Sequence, residues 1–470
     1  MKRPKKNEIP QEGILDARRL GVSKMFLLGF QHMFAMFGAT VLVPLLTGLS
    51  VSTTLLMAGL GTLLFHLITK GKVPAFLGSS FAFLGGYAAV APMLGADKNI
   101  PHLEMLPYAC LGVACAGLVY LVLAGLIKLV GVDRVIRFFP PVVTGPIIIA
   151  IGLSLSGSAV TNCSANWPLA LIALGIVVVF NIWGKGMFKI IPILLGVLGS
   201  YAIALLVGNV FGVDAWAIDF SAVAQADWLG LPLQKSSTVL GIDPSRTGLI
   251  VSSIVAIVPI ALATMMEHIG DISAISATVG KNFIKDPGLH RTLIGDGLAT
   301  TLSALCGGPA NTTYGENTGV LALSRVYDPR VIRLAALFAV VLSFCPKFAA
   351  IVSSIPTAII GGISFVLYGM ISAIGVRNVV ESKVDFSKSR NLIIAAVILV
   401  SALGLGSTAT FHIGSLTISL SALAVASIAG IVLNAIIPGK DYNYSADEPK
   451  DTGVDFSVGA NSKRQEKTKK

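Results

Sequence analysis

Charge is scarce in this sequence. Only 13% of its 470 residues are Asp, Glu, Lys or Arg, where a soluble domain carries about a quarter. With 54% hydrophobic residues and a mean hydropathy of +0.81, the composition excludes an ordinary soluble protein and indicates a polytopic membrane protein. Catalytic signatures are missing too. There is no H-E-x-x-H pair, P-loop or nucleophile elbow, so neither an intramembrane enzyme nor an ATP-driven pump is expected, and no cofactor or metal. The five cysteines, Cys110, Cys115, Cys163, Cys306 and Cys345, lack metal-ligand spacing and read as small core residues. The net charge of +11 is not gathered into one patch interleaved with aromatics, which argues against nucleic acid as a partner. The basic N-terminal stretch is followed by no short apolar run with a cleavage site, so the first apolar helix is expected to direct insertion itself.

What is present is a series of apolar runs. At about 20 residues per span, the first half offers 24–46, 53–69, 106–129, 140–155, 168–183 and 190–211, with a weak segment at 75–90 that Gly and Ser interrupt. The second half offers 247–266 and beyond, 292–305, 331–344, 355–374, 392–405 and 416–437, with a weak segment at 314–323. Counting both weak segments as crossings, with the N-terminus inside, leaves only Lys98, Lys235, Arg246 and Lys347 of the 35 basic residues outside, as cytoplasmic enrichment of Lys and Arg requires. The expected architecture is therefore an all-α polytopic protein of fourteen transmembrane segments, with both tails cytoplasmic in the plasma membrane. Residues 1–23 form the N-terminal tail, 24–211 the first seven segments, 212–246 an extracellular linker, 247–437 the second seven and 438–470 the C-terminal tail.

Seven segments per half is an odd number, so the second half enters the membrane inverted relative to the first, the plan of many secondary transporters. Pro140 and Gly145 open the fifth segment as Pro356 and Gly361 open the twelfth. The weak segments, GSSFAF and NTTYGENTG, are the third of each half, and paired Gly-interrupted segments point to a transporter's binding site. Glu316, in the second of them, is expected at the start of a half-helix from about Asn317 to Ser324, whose N–H groups and dipole favour an anion; Gly315 would let backbone approach a ligand. The alternative is a simple helix cap. In EHIGD, Glu267 and Asp271 lie one turn apart on one helical face, either buried or solvated at the cytoplasmic interface. Asp243 and Pro244 read as the N-cap and first residue of that helix. Phe81 would expose backbone donors and acceptors if its segment is extended, or be plain core. His32, His66 and His412 read as satisfied core or interface residues.

At these residues the chain resembles the nucleobase/ascorbate transporter family (nucleobase:cation symporter-2), in its uracil permease branch. QHMFAMFGATVLVP (31–44), KGKVPAFLGSSFAF (70–83), EHIGD, KDPGLHR (285–291) and NTTYGENTGVLALSR (311–325) are similar to family segments in the same order. The signature reads Glu316, Asn317, Thr318, Gly319, Ser324, Arg325, with Ser324 where Thr is usual. The resemblance implies short extended strands in segments 3 and 10 and a core domain (segments 1–4 and 8–11) facing a gate domain (5–7 and 12–14). It implies a site in which Glu267 and Glu316 bind the base, Phe81 and Gly315 offer backbone groups, and Ala39, Tyr314 and Tyr368 line the pocket. Some uracil-branch members carry His at the position of Asp271, so that residue's role does not transfer directly. Proton-coupled uracil uptake is the implied activity. Glu at 316 resembles the pyrimidine type and Gln the xanthine and urate type.

Elementary chemistry agrees. Uracil has two N–H donors and two carbonyl acceptors, so a buried site must supply both kinds of partner. Two carboxylates supply acceptors; strand and half-helix N–H groups supply donors. A buried pair of acids also suits a proton carrier, with Glu267 favoured because Glu316 meets a helix dipole and Glu267 has Asp271 beside it; the coupling ion expected is H+. The other readings are a permease of the same fold for xanthine or another nucleobase, and an anion exchanger or channel of similar architecture. The expected partners are a nucleobase and membrane lipid, with room for a homodimer.

Overall fold

The computed structural model describes residues 13–90, 103–233, 238–406, 408–413 and 416–439. The outermost parts of both tails, and the outer-loop residues Lys98 and Lys235, lie outside the described residues. The principal helices are α1 (Val22–Thr47), α2 (Val51–Ile68), α3 (Leu84–Val90), α4 (Leu106–Val130), α5 (Pro141–Ser164), α6 (Trp167–Trp183), α7 (Pro192–Ala204), α8 (Thr247–Ile257), α9 (Ile260–Val279), α10 (Leu289–Leu305), α11 (Gly315–Ser324), α12 (Pro329–Ser343), α13 (Pro346–Ser353), α14 (Thr357–Glu381), α15 (Ser389–Gly404) and α16 (Ala422–Ile436). Strands β1 (Leu77–Ser79) and β2 (Asn311–Thr313) form one antiparallel pair, and β3 (Thr408–Ile413) and β4 (Leu416–Ser421) another.

This is a mostly helical, multi-pass membrane protein. Among the described residues, seven stretches are long and apolar enough to cross a bilayer, or eight if α12 and α13, bent by 89° at Phe344–Cys345, make one span. Three apolar helices, α6, α15 and α16, are shorter. The weak segments each turn out to be a three-residue strand followed by a short helix, of seven residues in α3 and ten in α11.

Three expectations need correction. The segment expected as a helix from Leu416 begins instead as strand β4, and the helix starts only at Ala422, capped by the Ser421 hydroxyl accepting from the Ala424 N–H. Leu416, Ile418 and Leu420 alternate with Thr417, Ser419 and Ser421, a period of two that suits a strand and not a helix. Asp243 does not cap α8. Its carboxylate is taken by the Ser245 N–H at 2.9 Å and hydroxyl at 2.7 Å in a tight turn, and the helix begins at Thr247. His32 and His66 are buried but only half satisfied. His66 Nε2 lies 2.8 Å from the Ala75 carbonyl, while His66 Nδ1 and His32 Nε2 have no partner among the described residues.

Two groups of helices account for most of the packing. One gathers α1, α2, α4, α8, α10 and α12, with α4 against α8 and α10 and α2 between α10 and α12; the other gathers α5, α6, α7, α14, α15 and α16. Helix α9 lies between them, touching α4 and α10 on one side and α5 and α16 on the other. In the second, α5 and α14 lie close enough that a Cβ on Gly152 would strike Tyr368 and Ser372, and one on Gly375 would strike Ile149. Small residues permit such contact between apolar helices, where no hydrophobic force drives association.

The N-terminal segment is tied down by polar contacts. The Ile14 N–H donates to the Arg325 carbonyl and the Tyr327 N–H to the Ile14 carbonyl, each at 2.8 Å, and the Ala17 N–H donates to Asp328 Oδ2 at 2.7 Å. Asp16 pairs with Arg18 and Arg330; its hydrogen bond from Arg18 holds the carboxyl down at about 2. This strap fastens residues 14–18 to the loop that ends α11. The linker is anchored as well: the Gly230 N–H donates to the Phe344 carbonyl at 3.0 Å, and the Lys347 ammonium sits 4.9 Å over the Trp228 ring.

Candidate functional site

The ribbon of β1 and β2 brings the two halves of the chain together, with Leu77 opposite Thr313, Gly78 opposite Thr312 and Ser79 opposite Asn311. It is buried on every side, so each free backbone group needs a partner. Two threonines supply them in the same way. The Thr62 hydroxyl on α2 accepts from the Leu77 N–H at 2.9 Å and shares its hydrogen between the Ala58 carbonyl of its own helix at 2.8 Å and the Leu77 carbonyl at 3.2 Å. The Thr300 hydroxyl on α10 accepts from the Asn311 N–H at 3.2 Å and donates to the Asn311 carbonyl at 2.8 Å. Each threonine thus closes the outer edge of the strand that follows its own helix, at the strand's first residue.

Beyond each strand the chain turns into a half-helix. Tyr314 leads into α11 and offers no side-chain cap; the Glu316 carboxylate turns back onto its own N–H, and the other N–H groups of the first turn have no intrahelical acceptor. Gly315 and Glu316 are the first two residues of α11, both half-buried. A Cβ on Gly315 would meet nothing within 4 Å, which leaves open space beside this backbone. Tyr314 is buried over the ribbon: its hydroxyl donates to the Ser79 carbonyl at 2.9 Å and lies 3.3 Å from the Thr40 hydroxyl. The ring covers Gly78, where any Cβ would collide with it. Phe81 lies in the bend between β1 and α3. Its carbonyl accepts from the Leu84 N–H at 3.0 Å, so of its two backbone groups only the N–H is left for a ligand.

Helix α9 runs past this ribbon with Glu267, His268 and Asp271 in its middle. Val258 and Pro259 separate it from α8, and together the two span 33 residues, which carries Glu267 past the midpoint with twelve residues of helix still to come. Neither acid lies at a solvated helix end: Glu267 and Asp271 are half-buried, and His268 between them has no exposure. The Thr313 hydroxyl donates to Asp271 Oδ2 at 2.8 Å and approaches His268 Nδ1 at 3.5 Å. Asp296 of α10 places Oδ2 3.2 Å from the same Nδ1. That approach is close enough for an ion pair but lacks hydrogen-bond alignment, and both Asp296 oxygens are otherwise unpartnered among the described residues.

Glu267 therefore has Asp296 and Glu316 as its charged neighbours, and Asp271 has Glu267, Glu316 and Asp296. Among the described residues none of these acids is paired with a lysine or arginine. Asp296 is the residue that sequence reasoning missed. It is the one acid in α10, in the stretch IGDGLAT, and an intramembrane acid is by default a functional candidate.

The remaining expected residues fall around this cluster. Ala39 has no exposure on α1, next to Thr40. Tyr368 of α14 comes from the other helix group and sets its ring edge-on to Phe81, with centroids 6.1 Å apart. His32 on α1 is held from the half-helix: the Asn317 amide donates to the His32 carbonyl at 3.1 Å and lies 3.2 Å from its Nδ1. No group of three potential metal ligands exists among the described residues. The arrangement brings carboxylate acceptors and the N-terminal N–H donors of a half-helix together beside the ribbon.

Comparison with known proteins bears on this geometry. The Permease family, of the xanthine and uracil permease type, matches residues 23–413. The chain is 42% identical over 439 residues to a uracil permease of Bacillus caldolyticus, covering 91% of this chain and 95% of that one, and 40% identical over 421 residues to a uracil permease of Bacillus subtilis, covering 87% and 91%. It is 39% identical to a putative pyrimidine permease, RutG, of Escherichia coli, over 90% of this chain and 91% of the other. In fold it is similar to the transmembrane domain of the cyanobacterial bicarbonate transporter BicA (TM-score 0.60, 15% identity, 89% and 99% coverage) and to SLC26A9 (TM-score 0.60, 14% identity, 88% and 64% coverage). With the family matched over most of its length, the chain belongs to these permeases and is a transporter, not an enzyme.

Proposed function

We propose that the protein is a plasma-membrane uracil:proton symporter, built as fourteen segments in two inverted repeats, with both termini cytoplasmic. The observation that carries this reading is the meeting of Glu267 on α9 and Glu316 at the uncapped start of α11 around the β1–β2 ribbon. In this site the carboxylates accept from the ring N–H groups of uracil. The N–H groups of Gly315 and Phe81 donate to its carbonyls, and Tyr368 and Phe81 flank the ring, with Ala39 and Tyr314 closing the pocket. The matched threonine clasps of Thr62 and Thr300 support the repeat, since they recur at corresponding places in the two halves. The two helix groups correspond to a core that carries the ribbon and a gate against which it moves. An anion as cargo is disfavoured by a cluster of four acids with no lysine or arginine paired to them among the described residues.

The test is direct binding of a panel of bases to the purified protein, together with Glu316→Gln. Replacing the carboxylate by an amide removes a charge-assisted hydrogen bond worth about 1.5 to 3 kcal/mol, so uracil affinity should fall roughly tenfold or more. Uracil should bind more tightly than xanthine. Tighter binding of xanthine would move the assignment to another base, and unchanged uracil affinity in Glu316→Gln would reduce Glu316 to a helix cap.

A further inference from the structure

A cavity of about 580 Å³ lies between the two helix groups. It sits where α1, α5 and α15 end and where α4, α14 and α16 begin, the outer face in the orientation proposed above. Its floor includes Phe81 and Gly85, beside the ribbon, and one wall is the last three turns of α5, with Ser154, Ser158, Thr161 and Asn162. The spacing of Ser154, Ser158 and Thr161 sets one hydroxyl per turn along a single face. A lipid-facing or sealed helix would fill these positions with apolar side chains. Here the three are exposed to the cavity.

Each hydroxyl already donates its hydrogen to its own helix: Ser154 to the Ile151 carbonyl at 3.0 Å, Ser158 to Leu155 at 2.7 Å and Thr161 to Gly157 at 3.0 Å. Their lone pairs are what they present to the cavity. A second group points to a ligand at the same wall. Tyr368 is only 2% exposed, and its hydroxyl sits beside those of Ser158 and Ser364 without an aligned hydrogen bond among the described residues. Ser364 is buried and likewise makes no aligned hydrogen bond among the described residues. A buried hydroxyl left without a partner costs free energy, and a polar guest passing Ser158 would relieve it.

We infer that the α5 hydroxyl row, with Tyr368 at its inner end, is a transient outer subsite that takes a neutral planar heterocycle by its N–H groups before it reaches the acid cluster. The inference rests on the reading of the protein as a nucleobase transporter. A waypoint lowers the barrier to reaching the inner site and the barrier to leaving it alike, so it changes both rates and not the inner-site affinity.

The experiment is stopped-flow uracil binding to purified wild type and to the Ser154→Ala/Ser158→Ala/Thr161→Val variant, with Ser158→Ala and Thr161→Val alone if the triple variant does not fold. Association and dissociation rates should both fall, roughly tenfold in the triple variant, about the factor carried by one hydrogen bond of ordinary strength, while Kd stays unchanged. Ser158→Thr should keep wild-type rates. Unchanged association, or a loss of affinity through faster dissociation alone, would overturn the subsite and return these hydroxyls to helix packing. Wild type that fails to bind uracil at all would instead overturn the functional reading itself.

Discussion

Thr313, on the strand that leads to Glu316, donates its hydroxyl to Asp271, one turn beyond Glu267 on α9. The 2.8 Å bond ties the two acid-bearing elements to each other. Breaking it leaves Asp271 without its only hydrogen-bond donor among the described residues. Thr313→Val keeps the shape and removes the donor, and the expected loss of about 1.5 to 3 kcal/mol should appear as uracil transport slowed tenfold or more. Thr313→Ser should retain most of the activity. Initial uptake rates, with membrane expression as control, check this; full activity in Thr313→Val would show that Asp271 is held without the strand.

How far such a site can be read in advance depends on whether its signals are local. The GSSFAF and NTTYGENTG segments stood out because Gly, Ser and Asn interrupt apolar runs, and both became strand and half-helix. The clasps of Thr62 and Thr300 were invisible, since a buried threonine in a helix carries no mark of what it will bond. Asp296 did carry a mark, an acid inside an apolar helix, but its contact with His268 joins residues 28 positions apart on two helices and could not be read from either segment. Strand β4 did leave a mark, the strict alternation of Leu416 to Ser421, but it adjoined an apolar run long enough to be absorbed into a span. The bend between α12 and α13 falls at Phe344–Cys345, just before Pro346, which cannot continue a helix that precedes it.

Topology is testable through the two loops that the charge pattern assigns to opposite sides. Ala222 lies exposed in the linker, and Ser387 is exposed between α14 and α15. A cysteine at Ala222 should react with an impermeant thiol reagent on intact cells, and one at Ser387 only after the membrane is opened. Labelling of Ser387→Cys in sealed cells would overturn the inside assignment of that loop and the fourteen-segment count with it.

The last prediction concerns energy coupling and follows from charge accounting. Glu267, Asp271, Asp296 and Glu316 share one region with no lysine or arginine paired to them among the described residues, and His268 is the one group there able to offset a negative charge. Moving such a cluster against the gate with every acid ionised would carry several uncompensated charges through a low-dielectric region, which is costly. A proton taken up with the base removes one of them. Glu316 meets the free N–H groups of α11, which favour its charge; Glu267 lies in mid-helix, flanked by Asp296 and Glu316, and is the better carrier. Uptake should rise as external pH falls, because a higher outside proton concentration loads this acid, and it should collapse when a protonophore removes the gradient. Glu267→Gln is permanently neutral and cannot release a proton inside. It should lose accumulation against a concentration gradient while base exchange across the membrane continues. Accumulation of uracil by Glu267→Gln, with the proton gradient as the sole drive, would exclude Glu267 as the obligatory carrier and shift the role to Glu316 or Asp271.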